Sequence, residues 1–199
     1  MALGLPASRT IGVLILCGAV LLLVPTGPEA GQGGLSSAVG VKKERPCVRA
    51  DVPLPSGWRR ASVREASGKW RRRDPCRYLV VSADFNGDGL RDQAELLISD
   101  SGSELIPFAF MAQIDGTYTI HRLGEPIPVS YFEVMGIETV KSGSYRTACG
   151  KGYWECGAGE PKVLRLKNVA IDLFKEEGTN SFIYWDVRTG SFKQVWISD

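Results

Sequence analysis

The sequence predicts a mainly β (α+β) domain: an antiparallel meander in a curled or sandwich-like sheet, with one short N-terminal helix. Three observations carry this expectation. From residue 77 onward, runs of β-branched and aromatic residues of strand length are separated by Gly, Pro, Asp and Asn. Near the C-terminus large apolar groups fall on both faces of single strands. Phe182 and Tyr184 alternate with Ile183 and Trp185, and Phe192 and Trp196 with Val195 and Ile197, as expected of strands covered on both sides. Finally, four cysteines follow residue 46 in a chain that opens with an export segment, so two disulfides are expected.

Residues 1–30 read as a signal peptide. Arg9 and the amino terminus precede an uncharged apolar run, 11–24, shorter than the roughly 20 residues that span a bilayer. Pro28 sits where a peptidase prefers a small residue, so an uncleaved N-terminal anchor is the alternative. Cys17 follows Leu16 rather than a small residue, which argues against lipid attachment. The expected location is therefore outside the cytoplasm, periplasmic or extracellular, and membrane-anchored if the segment is retained. Residues 31–46 are Gly/Ser-rich and then charged, a flexible leader; 47–199 form a single β-rich domain. The 24 basic and 22 acidic residues nearly cancel, so nucleic acid is not an expected partner.

Proximity pairs Cys47 with Cys76 and Cys149 with Cys156. A zinc site is the poorer reading, since there are no CxxC pairs and only His121 could assist. Residues 58–73 are strongly basic, with Arg59, Arg60, Arg64, Lys69, Arg71, Arg72 and Arg73 offset only by Glu65. Ser56 as a cap and the four-residue spacing of Ser62, Ala66 and Trp70 predict a short amphipathic helix here. Its charges are read as a solvated face, the alternative being a grip on lipid head groups or an acidic polymer. Membrane contact is expected only through this segment or an uncleaved N-terminus.

Strands are expected at 77–85, 93–99, 107–114, 118–123, 131–140, 145–148, 162–168, 169–175, 181–187 and 191–198. Asp115 and Gly116 signal a two-residue hairpin turn, and the Pro-punctuated stretch 124–129 divides the domain into two lobes.

The most specific stretch is 84–95, DFNGDGLRDQAE. Oxygen-bearing side chains alternate at Asp84, Asn86 and Asp88, Gly89 permits a turn at φ > 0, and Asp92 and Glu95 follow. This satisfies the calcium-loop pattern D-x-[DN]-x-[DN]-G-x5-E, and a hard cation needs such an oxygen-only set. The flanks read as strands rather than helices. The alternative is a tight turn whose side chains cap their own backbone.

Asp84, Asn86, Asp88, Gly89 and Asp92 in this order resemble the calcium loop of FG-GAP or VCBS repeats, the blades of integrin-type propellers. By position, the resemblance implies Ca²⁺ held by the side chains of Asp84, Asn86, Asp88 and Asp92 and by the carbonyl of Leu90. Residues 147–156 and 182–186, with the ending VWISD, resemble a group of small exported bacterial proteins of unknown function that carry one such loop. A propeller needs several blades, and with one loop and no internal repeat a full β-propeller is not expected.

No catalytic constellation is legible: there is one histidine, His121, and no nucleophile elbow, phosphate loop or HExxH helix. Tyr153 and Trp154, inside the Cys149–Cys156 loop, are candidate binding anchors, or else caps on the core. The expectation is an exported, disulfide-stapled calcium-binding module recognising a protein or cell-envelope component, and not an enzyme. The alternatives are a hydrolase of an envelope polymer and a structural subunit of a surface assembly.

Overall fold

Strict alternation in two long strands sets the architecture. In β3 (Asp92–Ser99), Ala94, Leu96 and Ile98 bury on one face and Leu97 on the other. Its partner β4 (Glu104–Ala112) does the same, with Leu105, Ala109 and Met111 against Ile106, Phe108 and Phe110. A hairpin with apolar groups on both faces must be covered twice. The computed structural model, which describes Cys47 and residues 52–198, shows how; the expected signal peptide and flexible leader, 1–46, lie outside the described residues.

Around that hairpin the first sheet is completed by four short strands. β1 (Trp58–Arg59) and β2 (Val80–Ala83) both pair with β3, while β5 (Tyr118–Arg122) and β6 (Ile127–Pro128) both pair with β4. A second sheet contains β7 (Met135–Val140), β10 (Ala170–Lys175), β11 (Asn180–Asp186) and β12 (Ser191–Ser198), in the order β12-β11-β10-β7. Between β7 and β10 in sequence come a two-stranded ribbon, β8 (Gly143–Arg146) and β9 (Val163–Leu166), and one helical turn, α1 (Ala148–Lys151). All pairings are antiparallel and neither sheet closes into a barrel.

The inner faces of the two sheets meet in the main core. Leu96, Ile98, Leu105 and Met111 from the first pack with Ile137, Ile171, Leu173 and Ile183 from the second. Val52, Leu54 and Trp58 cover the outer face of the first sheet over Leu97, Ile106 and Phe108. The β8–β9 ribbon covers the outer face of the second, where Leu164 and Leu166 pack on Phe182, Val195 and Ile197. The segment entering β2 ties the sheets together: the Tyr78 carbonyl accepts from the Ile137 N–H (2.8 Å) and the Leu79 carbonyl from the Leu96 N–H (2.9 Å). Tyr78 makes this crossing with a left-handed backbone, φ 65°.

Both expected disulfides are present, Cys47–Cys76 and Cys149–Cys156. Such bridges suit an oxidising, exported setting. Among the described residues no helix is long and apolar enough to cross a membrane. The ten expected strands need boundary corrections, with 77–85 shrinking to β2 and 131–140 to β7 preceded by a 3₁₀ turn at Val129–Tyr131, and the list missed two short strands, β1 and β6. The hairpin after β4 uses a three-residue loop, 114–116, closed by Gln113 N–H donating to the Thr117 carbonyl at 2.9 Å, rather than a two-residue turn.

One expectation fails. Residues 58–73 hold no helix, and the single α-helical turn of the described chain is α1. Trp58 and Arg59 are drawn into pairing with Ser99 and Ile98. Ser62 and Glu65 do cap one another, the Glu65 N–H donating to Ser62 Oγ (3.3 Å) and the Ser62 N–H to Glu65 Oε2 (2.9 Å). The turn they start gains one Ala66 N–H to Ser62 carbonyl bond and stops at Gly68, which lies against the Glu133 backbone. Tertiary pairing outweighs the local helical periodicity.

Candidate functional site

The loop between β2 and β3 is built from its own side chains. Asp84 Oδ1 accepts from the Gly87 and Asp88 N–H groups (2.7 and 3.2 Å) and Oδ2 from Gly89 N–H (2.8 Å). Asn86 Oδ1 accepts from Asp88 N–H (3.0 Å), and Asp88 Oδ1 from Leu90 N–H (2.8 Å). Asn86 Nδ2 donates to Asp88 Oδ2 at 2.8 Å. Gly87 (φ 83°) has no room for a side chain, because a Cβ would sit 2.9 Å from the Asn168 amide. Asn168, just before β10, in turn donates to the Phe85 carbonyl (3.3 Å) and docks the loop on the second sheet.

Asp92 lies behind the loop, fully buried, with its oxygens accepting from the N–H groups of Phe85 and Ala112, both at 2.9 Å. Burial pushes its pKa up, and the negative charges of Asp88 and Asp84 push the same way. Glu95 departs from the calcium-loop pattern. Strand alternation turns it to the outer face of the first sheet, where Arg60 holds it bidentately (Nε–Oε2 and Nη2–Oε1, both 2.7 Å). It is spent on that pair. Neighbouring Arg91 donates to Ser82 Oγ (2.9 Å) rather than to the loop carboxylates.

The side-chain donors of the turn are oxygens apart from the Asn86 amide nitrogen, with three carboxylates and no ion pair to any of them among the described residues. Each carboxylate or amide oxygen has two acceptor positions. Hydrogen bonding leaves one free on Asp84 Oδ2, on Asn86 Oδ1 and on both Asp88 oxygens. Both Asp92 oxygens keep one as well, but Asp92 is fully buried, so the accessible side-chain oxygens with a spare position are those four. Asp92, its two oxygens bonded to backbone on either side, braces the loop from within. As it stands the loop caps its own backbone, and no group of three or more acidic, His or Cys side chains poised to hold a metal is found among the described residues.

The second candidate surface is the Cys149–Cys156 loop. Thr147 caps α1, accepting from Gly150 N–H (3.0 Å) while donating its hydroxyl to the Pro161 carbonyl (2.7 Å). Lys151 Nζ donates to the Ile197 carbonyl (2.7 Å) and fixes the loop beside β12, an edge strand. Tyr153 (53 % exposed) and Trp154 (38 %) do not cap the core. Trp154 instead lines a groove of about 630 Å³ with Glu160, Pro161, Lys193 and Trp196, the last 45 % exposed on the edge strand. Trp196, between the buried Val195 and Ile197, is the binding-type residue that sequence alternation hid.

Compared with protein-family models, curated proteins and solved structures, the chain matches none. What the sites can do must therefore be read from their chemistry. His121 packs edge-on between Trp185 and Phe192 (ring centroids 5.5 and 5.6 Å), and burial lowers its pKa. Asp172 and Glu138 stand directly opposite on β10 and β7, yet neither lines the groove described above.

Proposed function

We propose that this chain is an exported, disulfide-stapled module that binds Ca²⁺ in the 84–92 turn and recognises a protein or cell-envelope component through the Trp154 groove. The calcium reading rests on one observation: three carboxylates gathered in a nine-residue turn with no cation among the described residues paired to them. Like charges held this close repel, and a divalent ion is the ligand that relieves them. Asp84, Asn86 and Asp88, with the Leu90 carbonyl, would hold the ion from the loop side; Asp92 would contribute its charge from behind. The ion's role is structural, pinning the β2–β3 connection. Recognition falls to the cysteine loop, where rigid aromatics stand exposed on a disulfide-closed hairpin.

Thermal unfolding of the oxidised chain with Ca²⁺, Mg²⁺ or chelator tests the metal. At Ca²⁺ about 100-fold above Kd the native state gains about 2.7 kcal/mol, a rise in Tm of about 5–10 °C, absent in Asp88→Ala. Coincident melting curves in Ca²⁺ and chelator would show the loop to be a self-capped turn only. For the groove, Tyr153→Ala with Trp154→Ala is expected to change stability by no more than about 0.5 kcal/mol, as exposed side chains do. A loss of several kcal/mol in urea unfolding would return both rings to the core.

A further inference from the structure

The basic stretch that fails to form a helix forms a cavity instead. Successive turns, Asp74 N–H to the Arg71 carbonyl (3.0 Å) and Arg77 N–H to the Asp74 carbonyl (3.1 Å), wind the segment back on itself. They leave a hollow of about 550 Å³ walled by residues 69–74, 77 and 78. Lys69, Arg72, Arg73 and Arg77 are exposed on its rim, against one acid, Asp74. Like-charged side chains crowded around a concavity focus a positive potential into it.

Arg71, in the same wall, is only 2 % exposed. Its Nη2 donates to the carbonyls of Phe132 (3.0 Å) and Met135, and its guanidinium lies 4.8 Å from the Trp70 ring centroid and 4.9 Å from that of Phe132. Among the described residues Nε and Nη1 have no hydrogen-bond partner. Buried N–H donors of a charged group are costly to leave unpaired, and a site that tolerates two of them points to a missing acceptor. Burial lowers the Arg71 pKa to about 10, so the group stays cationic at neutral pH. The site is also braced: Trp70 stacks on Tyr78 (5.0 Å), Trp70 Nε1 donates to the Glu133 carbonyl, and Cys76 is bridged to Cys47.

We propose that this cavity binds a phosphate monoester, soluble or carried as a lipid headgroup. Several cations with planar donor forks match the three or more acceptor oxygens of a phosphate better than the two of a carboxylate. The volume exceeds that of a bare oxoanion and leaves room for an esterified substituent over the Trp70–Tyr78 stack. The site is independent of the 84–92 turn.

The test uses the full oxidised chain in chelator at 0.15 M salt, where loose surface attraction is screened. One arm titrates inorganic phosphate and glycerol phosphate by calorimetry. The other measures co-sedimentation with phosphatidic acid/phosphatidylcholine vesicles, which present a phosphate monoester, against pure phosphatidylcholine, which presents only a diester. Arg72→Ala with Arg73→Ala changes exposed side chains only, so folding is retained, and a loss of affinity of about tenfold or more is expected in whichever arm binds. Arg71→Met is followed by its Tm without ligand, and if folded should abolish the Tm rise that phosphate gives the parent. Binding in the first arm assigns a soluble phosphate ester; binding in the second alone assigns a headgroup. No saturable binding in either arm, or binding undiminished in the Arg72/Arg73 variant, overturns the proposal. The latter result on vesicles would assign membrane contact to the N-terminal apolar run.

Discussion

Arg60→Met is expected to cost about 3–5 kcal/mol, because it leaves the Glu95 carboxylate buried without its counter-charge. Glu95 is 1 % exposed, and apart from Arg60 only Gln93 Nε2 donates to it, at 2.5 Å. The arginine also fastens the chain: Nη2 reaches the Val52 carbonyl (3.3 Å), in the segment that covers Leu97, Ile106 and Phe108. Its loss should therefore loosen the outer layer of the first sheet as well as strand a charge. Replacing both partners tells a different story. Arg60→Met with Glu95→Leu removes the buried ions together, and most of the lost stability should return, since a buried pair itself adds little over apolar packing. Urea unfolding of the two single variants and the double closes the cycle. A coupling below about 1 kcal/mol would mean that water reaches Glu95 and that the pair behaves like a surface bridge.

That pair also shows what could and could not be read in the sequence. The strand sequence was legible because apolar residues alternate within short runs: β3, β4 and β12 all lie within a few residues of where periodicity puts them. Both disulfides followed from proximity along the chain. The basic segment was misread because Ser62, Ala66 and Trp70 do have helical spacing. What decides there is the pairing of Trp58 and Arg59 with β3 and of Arg60 with Glu95, contacts between residues 35 to 41 apart along the chain. Glu95 matched a twelve-residue loop pattern, yet the strand begins at Asp92, and alternation from there turns Glu95 to the Arg60 side. The Asn168 dock against Gly87 and the orphaned donors of Arg71 depend on the second sheet folding against the first, and leave no local signal.

The second large effect is electrostatic and has the opposite sign. Asp172→Asn should stabilise the protein at neutral pH. The carboxyl of Asp172 is buried on β10, and burial pushes its pKa up from 3.8 to about 6. Asn180 Nδ2 donates to both oxygens (3.1 Å) and pulls the other way, while Glu138, opposite on β7, adds repulsion. Between pH 3.8 and 6 the folded chain keeps a proton that the unfolded chain has released. Stability from this group is thus complete below the unfolded value and is lost as pH rises through the folded one. At pH 7 the deficit is about 2 kcal/mol after allowance for solvent screening. An amide carries no charge to bury and still accepts from Asn180, so the variant should gain about 4–8 °C in Tm at pH 7. At pH 3.5 the gain should vanish. Glu65, held down from 4.5 to about 2 by Arg59, works in the reverse sense and loses its contribution as pH falls between those values, but it is common to parent and variant and cancels in their difference. Melting curves of parent and variant from pH 3.5 to 7.5, in chelator, read the difference directly. A constant offset across that range would mean that Asp172 is ionised in the folded chain throughout and that Asn180 and water already carry its charge.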